Sequence, residues 1–288
     1  MVASVTEQDY PGHRVLRPPV WTTPHILTCP HAGRSYPKSF VEGSRLSLLD
    51  LRRSEDAYVD ALLPAPAAVG APVLVADFPR AFVDVNRAPY ELDPMLFDAP
   101  VGADAARSGR VLAGFGVIPK LAAEGRAIYA RRLSAAEGRA RIKWCYEPYH
   151  ASLRSLIREC LTRFGEAMVI DLHSMPSAGP GRRLPDVVLG DRFGASCRRE
   201  VVERWEAGFA DVGIGTGRNT PYAGGFVTSL YGRPGEGVHV VQLELNRRLY
   251  LDESAVARSA GFPALRDDLG RVIGTILSEA AGVSLAAE

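Results

Sequence analysis

The sequence predicts an α/β domain on a central, mostly parallel (mixed) sheet flanked by helices. Three observations carry that expectation. Five apolar runs have the length of strands, helical patterns separate several of them, and no shift in composition divides residues 1–288. Continuous apolar strands alternating with helices are what a sheet buried on both faces requires.

The elements follow in order. PHILTCP (24–30) reads as a short strand entering a loop. Residues 54–68 read as a helix, with Ser54 as N-cap and Glu55 and Asp56 in a first turn where the dipole favours negative charge. Gly70 stops it, and APVLVADF (71–78) follows as a buried strand. Residues 98–117 mix Gly, Ala, Asp and Arg without periodicity and read as a surface excursion. Ser134 and Glu137 form a capping box that opens a long helix through Phe164, bent near Pro148. AMVIDLH (167–173), PDVVLG (185–190) and VHVVQLEL (238–245) are strand-like, with a helix around 195–210 between the last two. A closing helix is expected from about Ser254 to Ala281. One catalytic domain over 1–288 fits this pattern.

Composition narrows the function. Apolar residues make up 47% and charged ones 23%, as in an ordinary globular chain with a sizeable core. Lys plus Arg is 34 against 33 for Asp plus Glu, a net charge of +1, which argues against a nucleic-acid partner. No apolar run reaches the roughly 18 residues of a membrane span, and the N-terminus lacks a secretory pattern. Cys29, Cys145, Cys160 and Cys197 are widely spaced, with no Cys-x-x-Cys pair. They read as reduced thiols, and a cytoplasmic location is expected.

In open α/β sheets ligands bind beyond the carboxyl ends of the strands. His31 follows the first strand, and Arg80, Asn86 and Arg87 follow the second. His173 ends AMVIDLH, and Glu244 lies near the end of VHVVQLEL, followed by Asn246 and Arg247. Two histidines just before loops suggest a catalytic metal, which uses three protein ligands and leaves a position open for water. The third ligand is then a carboxylate, and the Glu55-Asp56 pair offers one, although dipole compensation explains that pair equally well. Alternation puts Gln242, Glu244 and Asn246 on one strand face. That face is either an ordinary half-exposed surface or one that holds Glu244 as a general base. Arg80 and Arg87 suit a carboxylate or a developing oxyanion, or else form surface ion pairs. Gly224 and Gly225 allow a tight loop near a ligand, with Tyr222 as a polar wall. His150 and His239 read as structural or surface residues. There is no G-x-S-x-G, Walker A, strand-following G-x-G-x-x-G or H-E-x-x-H motif.

CPHAGRSYP (29–37), LRRSEDAYVDALL (51–63), DFPRAFVDVNRAPYELDP (77–94), YEPYHASL (146–153), IDLHSMP (170–176) and residues 220–253 together resemble the N-formylglutamate amidohydrolases. That family is related to the zinc carboxypeptidases and aspartoacylases. The resemblance implies a mixed sheet flanked by helices and a single Zn2+ held by His31, Asp56 and His173, with Asp56 chosen over Glu55. The acidic ligand three residues after the first His in the carboxypeptidase pattern is missing, since position 34 is Arg. The resemblance further implies Glu244 as the base and Arg80 polarising the scissile carbonyl, with Asn86 and Arg87 holding a substrate carboxylate. The implied reaction is hydrolysis of N-formyl-L-glutamate, a small anionic N-acyl amino acid, to glutamate and formate. A carboxypeptidase- or aspartoacylase-like deacylase with another substrate is the nearest alternative. A metal-free ligand-binding homologue is the alternative outside the enzymes.

Overall fold

Strands form where the sequence is continuously apolar, because their residues have nowhere to go but into the two sides of a buried sheet. The computed structural model describes residues 10–101, 108–179 and 182–285. Seven strands make the main sheet: β1 (His13–Leu16), β2 (His25–Cys29), β3 (Val73–Ala76), β4 (Ala167–Met175), β7 (Val187–Gly190), β8 (Thr216–Arg218) and β9 (Val238–Asn246). Two ribbons lie outside it, β5 (Ala178–Gly179) with β6 (Arg182–Arg183) and β10 (Leu251–Asp252) with β11 (Ala257–Arg258). The strand order is β1-β3-β2-β4-β9-β7-β8. From β3 to β9 the pairing is parallel, while β1 runs antiparallel to β3, and β7 runs antiparallel to β9 and parallel to β8. The sheet is therefore mixed, as expected, with its long buried strands parallel.

Alternation divides the core. Ile26, Leu74, Val169 and Val240 pack on one face, with Tyr149, Leu153 and Leu156 of helix α7 (Glu147–Phe164). Leu27, Val73, Ile170 and Val241 pack on the other. There they meet Trp205 and Phe209 of α8 (Arg199–Asp211) and Leu269 and Ile273 of α10 (Phe262–Leu285).

Four expectations need correction. The helix over 54–68 is absent as such. Instead α2 (Leu48–Arg52) ends early, a turn follows, and α3 (Val59–Leu62) and α4 (Pro66–Val69) are short. Pro64 and Pro66 cannot continue a helix, and Ser54 Oγ accepts from Ala123 N instead of capping. Gly70 does end α4, in the left-handed region at φ 62°. The closing helix begins eight residues later than Ser254, because Asp252 Oδ1 accepts from Ser254 N and Ala255 N and holds that stretch in a turn. Of the surface excursion, 102–107 lies outside the described residues. Around it, Val111 of α5 (Gly109–Leu112) and Val117 pack inward, and Arg110 and Phe115 line a cleft. Finally, the short edge strands β1 and β8 were not foreseen.

Of the capping box, one half holds: Ser134 Oγ accepts from Glu137 N at 3.0 Å and opens α6 (Ala135–Arg141), while the Glu137 carboxylate accepts from Arg141. One π turn, Ile142–Tyr146, then joins it to α7, with Pro148 in that helix's first turn. A wider turn there accommodates a residue with no N–H to donate.

His25 stands apart from this economy. It is fully buried at the start of β2, and neither ring nitrogen has a hydrogen-bond partner among the described residues. Burial holds its pKa down at about 3, against an ordinary 6.5. Below pH 6.5 the unfolded chain therefore takes up a proton that the folded chain refuses. Stability contributed by neutral His25 is full above 6.5 and is lost as pH falls toward 3. His25→Leu is expected to flatten the decline in urea midpoint over that window. An unaltered pH profile would contradict this reading.

Candidate functional site

Along one face of the sheet the side chains change from apolar to polar toward the carboxyl ends. Ile26, Val169 and Val240 form one row across β2, β4 and β9; Thr28, Asp171 and Gln242 form the next. His173 and Glu244 follow, as paired residues on adjacent strands. Two-residue periodicity alone places all these groups on one face. Thr28 Oγ1 donates to Asp171 Oδ1 at 2.6 Å, and Asp171 Oδ2 accepts from His173 Nε2 at 2.9 Å. Every residue of β9 is buried, so Gln242 and Glu244 face this site and not solvent.

The other two groups come from loops. His31 lies just past β2, and its carbonyl accepts from Asp56 N at 3.0 Å. Arg247, after β9, donates to the carbonyls of Arg53 and Glu55 at 3.2 and 2.6 Å and to Asp56 Oδ1 at 3.2 Å. These bonds hold residues 53–56 as a loop and turn the Asp56 carboxylate inward. Glu55 points elsewhere, to Tyr36 and Arg52. Of the two acidic candidates, only Asp56 reaches the histidines.

His31, Asp56 and His173 are all buried, and their ligand atoms lie within 4.8 Å of one another. Asp56 Oδ2 is 3.3 Å from His31 Nδ1 and 3.1 Å from His173 Nδ1, and the two Nδ1 atoms are 3.1 Å apart. His31 Nε2 meets Asp84 Oδ1 at 2.7 Å, as His173 Nε2 meets Asp171. Carboxylates only accept, so each imidazole carries its proton on Nε2 and turns a lone pair on Nδ1 toward its neighbour. Two nitrogen lone pairs and a carboxylate oxygen converging on one point repel one another unless a cation lies between them. Histidine ligands backed by carboxylates are the usual supporting arrangement of a metal site. This donor set fits a divalent metal such as zinc.

The electrostatics agree. Burial opposes charge on His173, yet Asp171, Asp56 and Glu244 raise its pKa well above the ordinary value. Burial likewise opposes ionisation of Asp56, but the neighbouring His173, His31 and Arg80 hold its carboxyl well below the ordinary value. A field that favours a proton at this point also favours a metal cation.

A cleft of about 620 Å³ opens above the cluster. Glu244 and Arg80 line it, as do Asn86, Arg87, Tyr222, Gly224 and Gly225. Burial pushes the Glu244 carboxyl up to about 7. Gln242 Nε2 donates to Glu244 Oε1 at 2.7 Å, and Gln242 Oε1 accepts from Gly225 N at 2.8 Å. Gln242 thus links the strand carboxylate to the glycine loop. Arg80 lies 3.0 Å from Asp84 and 4.0 Å from Asp56. Asn86 is buried, with Oδ1 accepting from Val227 N at 2.8 Å and Nδ2 lying 3.3 Å from His173 Nε2. A Cβ at Gly225 would fall 2.2 Å from that amide, so only glycine fits there. His150 is tied to Tyr231 and Val85, and His239 accepts from Arg198 N. Neither belongs to the three-residue cluster.

The sequence reading therefore assembled its candidates around one cleft but missed Asp84, Asp171 and Arg247 as supports. The spacing Asp171-x-His173 on a strand was a usable signal, because residues two apart share a face. Nothing local in the sequence signals that Arg247 reaches the loop 192 positions upstream.

Comparison with known proteins gives a consistent result. The family model for N-formylglutamate amidohydrolase matches residues 23–251. The N-formylglutamate deformylase of Pseudomonas aeruginosa is 30% identical over 238 residues, covering 81% of this chain and 84% of that protein. That of Pseudomonas putida is 29% identical over 240 residues, covering 80% and 83%. The crystal structure of N-formylglutamate amidohydrolase from Ralstonia eutropha JMP134 superposes with a TM-score of 0.88 at 34% identity, covering 94% of this chain and 98% of that one. With a family match across most of its length and a shared fold, the chain belongs to the N-formylglutamate amidohydrolase family.

Proposed function

We propose that the chain is a metal-dependent amidohydrolase that removes the formyl group from N-formyl-L-glutamate, as one catalytic domain. The observation that carries this reading is the convergence of His31, Asp56 and His173 beneath a cleft lined by Glu244 and Arg80. The relatives' names supply the substrate.

His31, Asp56 and His173 would hold one Zn2+ per chain. When bound, the ion supplies Lewis acidity, polarising an acyl oxygen and acidifying water at neutral pH. The chain's own groups do the rest. Glu244 takes the proton of the attacking water and passes it to the departing amine nitrogen; a carboxyl near pH 7 suits both halves of that transfer. Gln242 holds the carboxylate in place through its 2.7 Å contact. Arg80 faces the oxygen on which negative charge develops. Arg87 clamps a substrate carboxylate, and Asn86, accepting from Val227 N, fixes the loop beside that clamp. Tyr222, Gly224 and Gly225 form the opposite wall of the cleft. The partner is thus a small anionic metabolite. Four unpaired, buried cysteines suit a reducing compartment such as the cytoplasm. No helix among the described residues is long and apolar enough to cross a membrane.

Matched N-formyl- and N-acetyl-L-glutamate provide the test. The formyl compound is expected to release formate with a kcat/KM at least tenfold above acetate release from its partner. Faster acetate release would make the protein a deacylase of another kind.

A further inference from the structure

Among the described residues, five arginines line the cleft: Arg53, Arg80, Arg87, Arg110 and Arg247. Among the same residues, Asp84 and Glu244 are the carboxylates lining it. Arg53 lies near Asp50 and Glu124, Arg80 near Asp84, and Arg247 near Asp56 and Glu253. Arg87 has only Asp84 Oδ2, at 3.9 Å, and that oxygen already accepts from Arg80 at 3.0 Å. Among the described residues, Arg110 has no carboxylate within 4.0 Å. Among the described residues, the one carboxylate within 4.0 Å of either Arg87 or Arg110 is therefore Asp84, which Arg80 also holds.

Arg87 is also held there, as is the backbone that carries the exposed Arg110. Buried Glu91 accepts from Ser108 Oγ at 2.7 Å through one oxygen and from Ala88 N at 2.9 Å through the other. Its carbonyl accepts from Val117 N at 2.8 Å. Glu91 thus ties the residue that caps α5 to the residue after Arg87. Arg87 is fixed in turn by donating from Nε to the Phe115 carbonyl at 3.0 Å and from Nη1 to the Asn86 carbonyl at 2.8 Å. Two cations brought side by side and left unneutralised repel each other. Burial and then the cations Arg80 and Arg110 depress the Arg87 guanidinium, against the pull of Asp84 and Glu91. An arrangement of this cost is relieved by an anion arriving with the ligand.

We propose that Arg110 is a specificity-determining residue: beside Arg87, it receives the second carboxylate of a dicarboxylic N-acyl amino acid. A substrate with one carboxylate satisfies Arg87 and leaves Arg110 unpaired, so the cleft selects dianions. This assignment rests on the amidohydrolase reading above and deepens it.

N-formyl-L-glutamine keeps the shape of N-formyl-L-glutamate and lacks one charge. The ratio of kcat/KM for the two is expected to fall by about 10- to 100-fold in Arg110→Gln, with the change mainly in KM. Arg110→Lys is expected to restore much of it. An unchanged ratio in Arg110→Gln would overturn the assignment, as would an equal loss on both substrates. Glutarate and butyrate separate this claim from the reaction itself. Thermal stabilisation by glutarate over butyrate is expected in the wild type and should shrink in Arg110→Gln. If the wild type hydrolyses neither formyl compound but shows that Arg110-dependent preference, the reaction is wrong and the subsite stands. If hydrolysis occurs and the preference does not depend on Arg110, the reverse holds.

Discussion

Glu244→Gln is expected to lower kcat by about 10²–10⁴-fold, the usual worth of a positioned general acid–base group, while metal content and fold stay as they are. The substitution keeps the volume of the side chain and can preserve its contact with Gln242, 2.7 Å away. What it removes is the capacity to accept a proton. Glu244 is the one cleft carboxylate without an arginine or histidine within ion-pairing distance among the described residues; Asp84 is bound up with His31 and Arg80. A group that must take and return a proton is better placed when no fixed cation holds it ionised. Formate release at saturating substrate, measured with the metal content of the same sample, checks this. Full activity with metal bound would remove Glu244 from the base role.

The second large effect is expected at Asp56. Asp56→Asn replaces the anionic donor of the cluster with a neutral amide of the same size. Its Oδ2 faces both Nδ1 atoms, and its Oδ1 is held by Arg247 and Ser174. Loss of a supporting partner behind a metal ligand costs roughly 10–100-fold in affinity. Loss of the ligand charge itself should exceed that, and activity at limiting metal should fall in step. Excess metal should recover part of it. Glu55→Gln provides the contrast, since Glu55 is turned toward Tyr36 and Arg52. Metal content in that variant is expected to match the wild type, and a loss equal to that of Asp56→Asn would contradict the assignment of the acidic ligand.

The sheet was readable because burial on both faces demands continuous apolar runs, and β2, β3, β4, β7 and β9 all carry one. The histidines and Glu244 were readable because chemistry in such sheets gathers at the carboxyl ends of strands. The loop that carries Asp56 was not. Its acidic residues suit a helix N-terminus locally, but bonds from Arg247 and from the His31 carbonyl impose a different path. Contacts between residues that far apart leave no periodic trace. The strand β8 failed for another reason. Its three half-buried residues, Thr-Gly-Arg, present no apolar signal, and its pairing with β7 alone makes it a strand. Arg110 was hidden inside a stretch that composition marks as surface; it is exposed, and it also lines the cleft.

The central claim is that one metal ion at His31, Asp56 and His173 supports deformylation. Formate release from N-formyl-L-glutamate, followed while metal-free protein is titrated with Zn2+, tests it most directly. Activity should start near zero, rise linearly and level off at about one ion per chain, the stoichiometry of a mononuclear catalytic site. Full formate release from the metal-free protein would contradict the account.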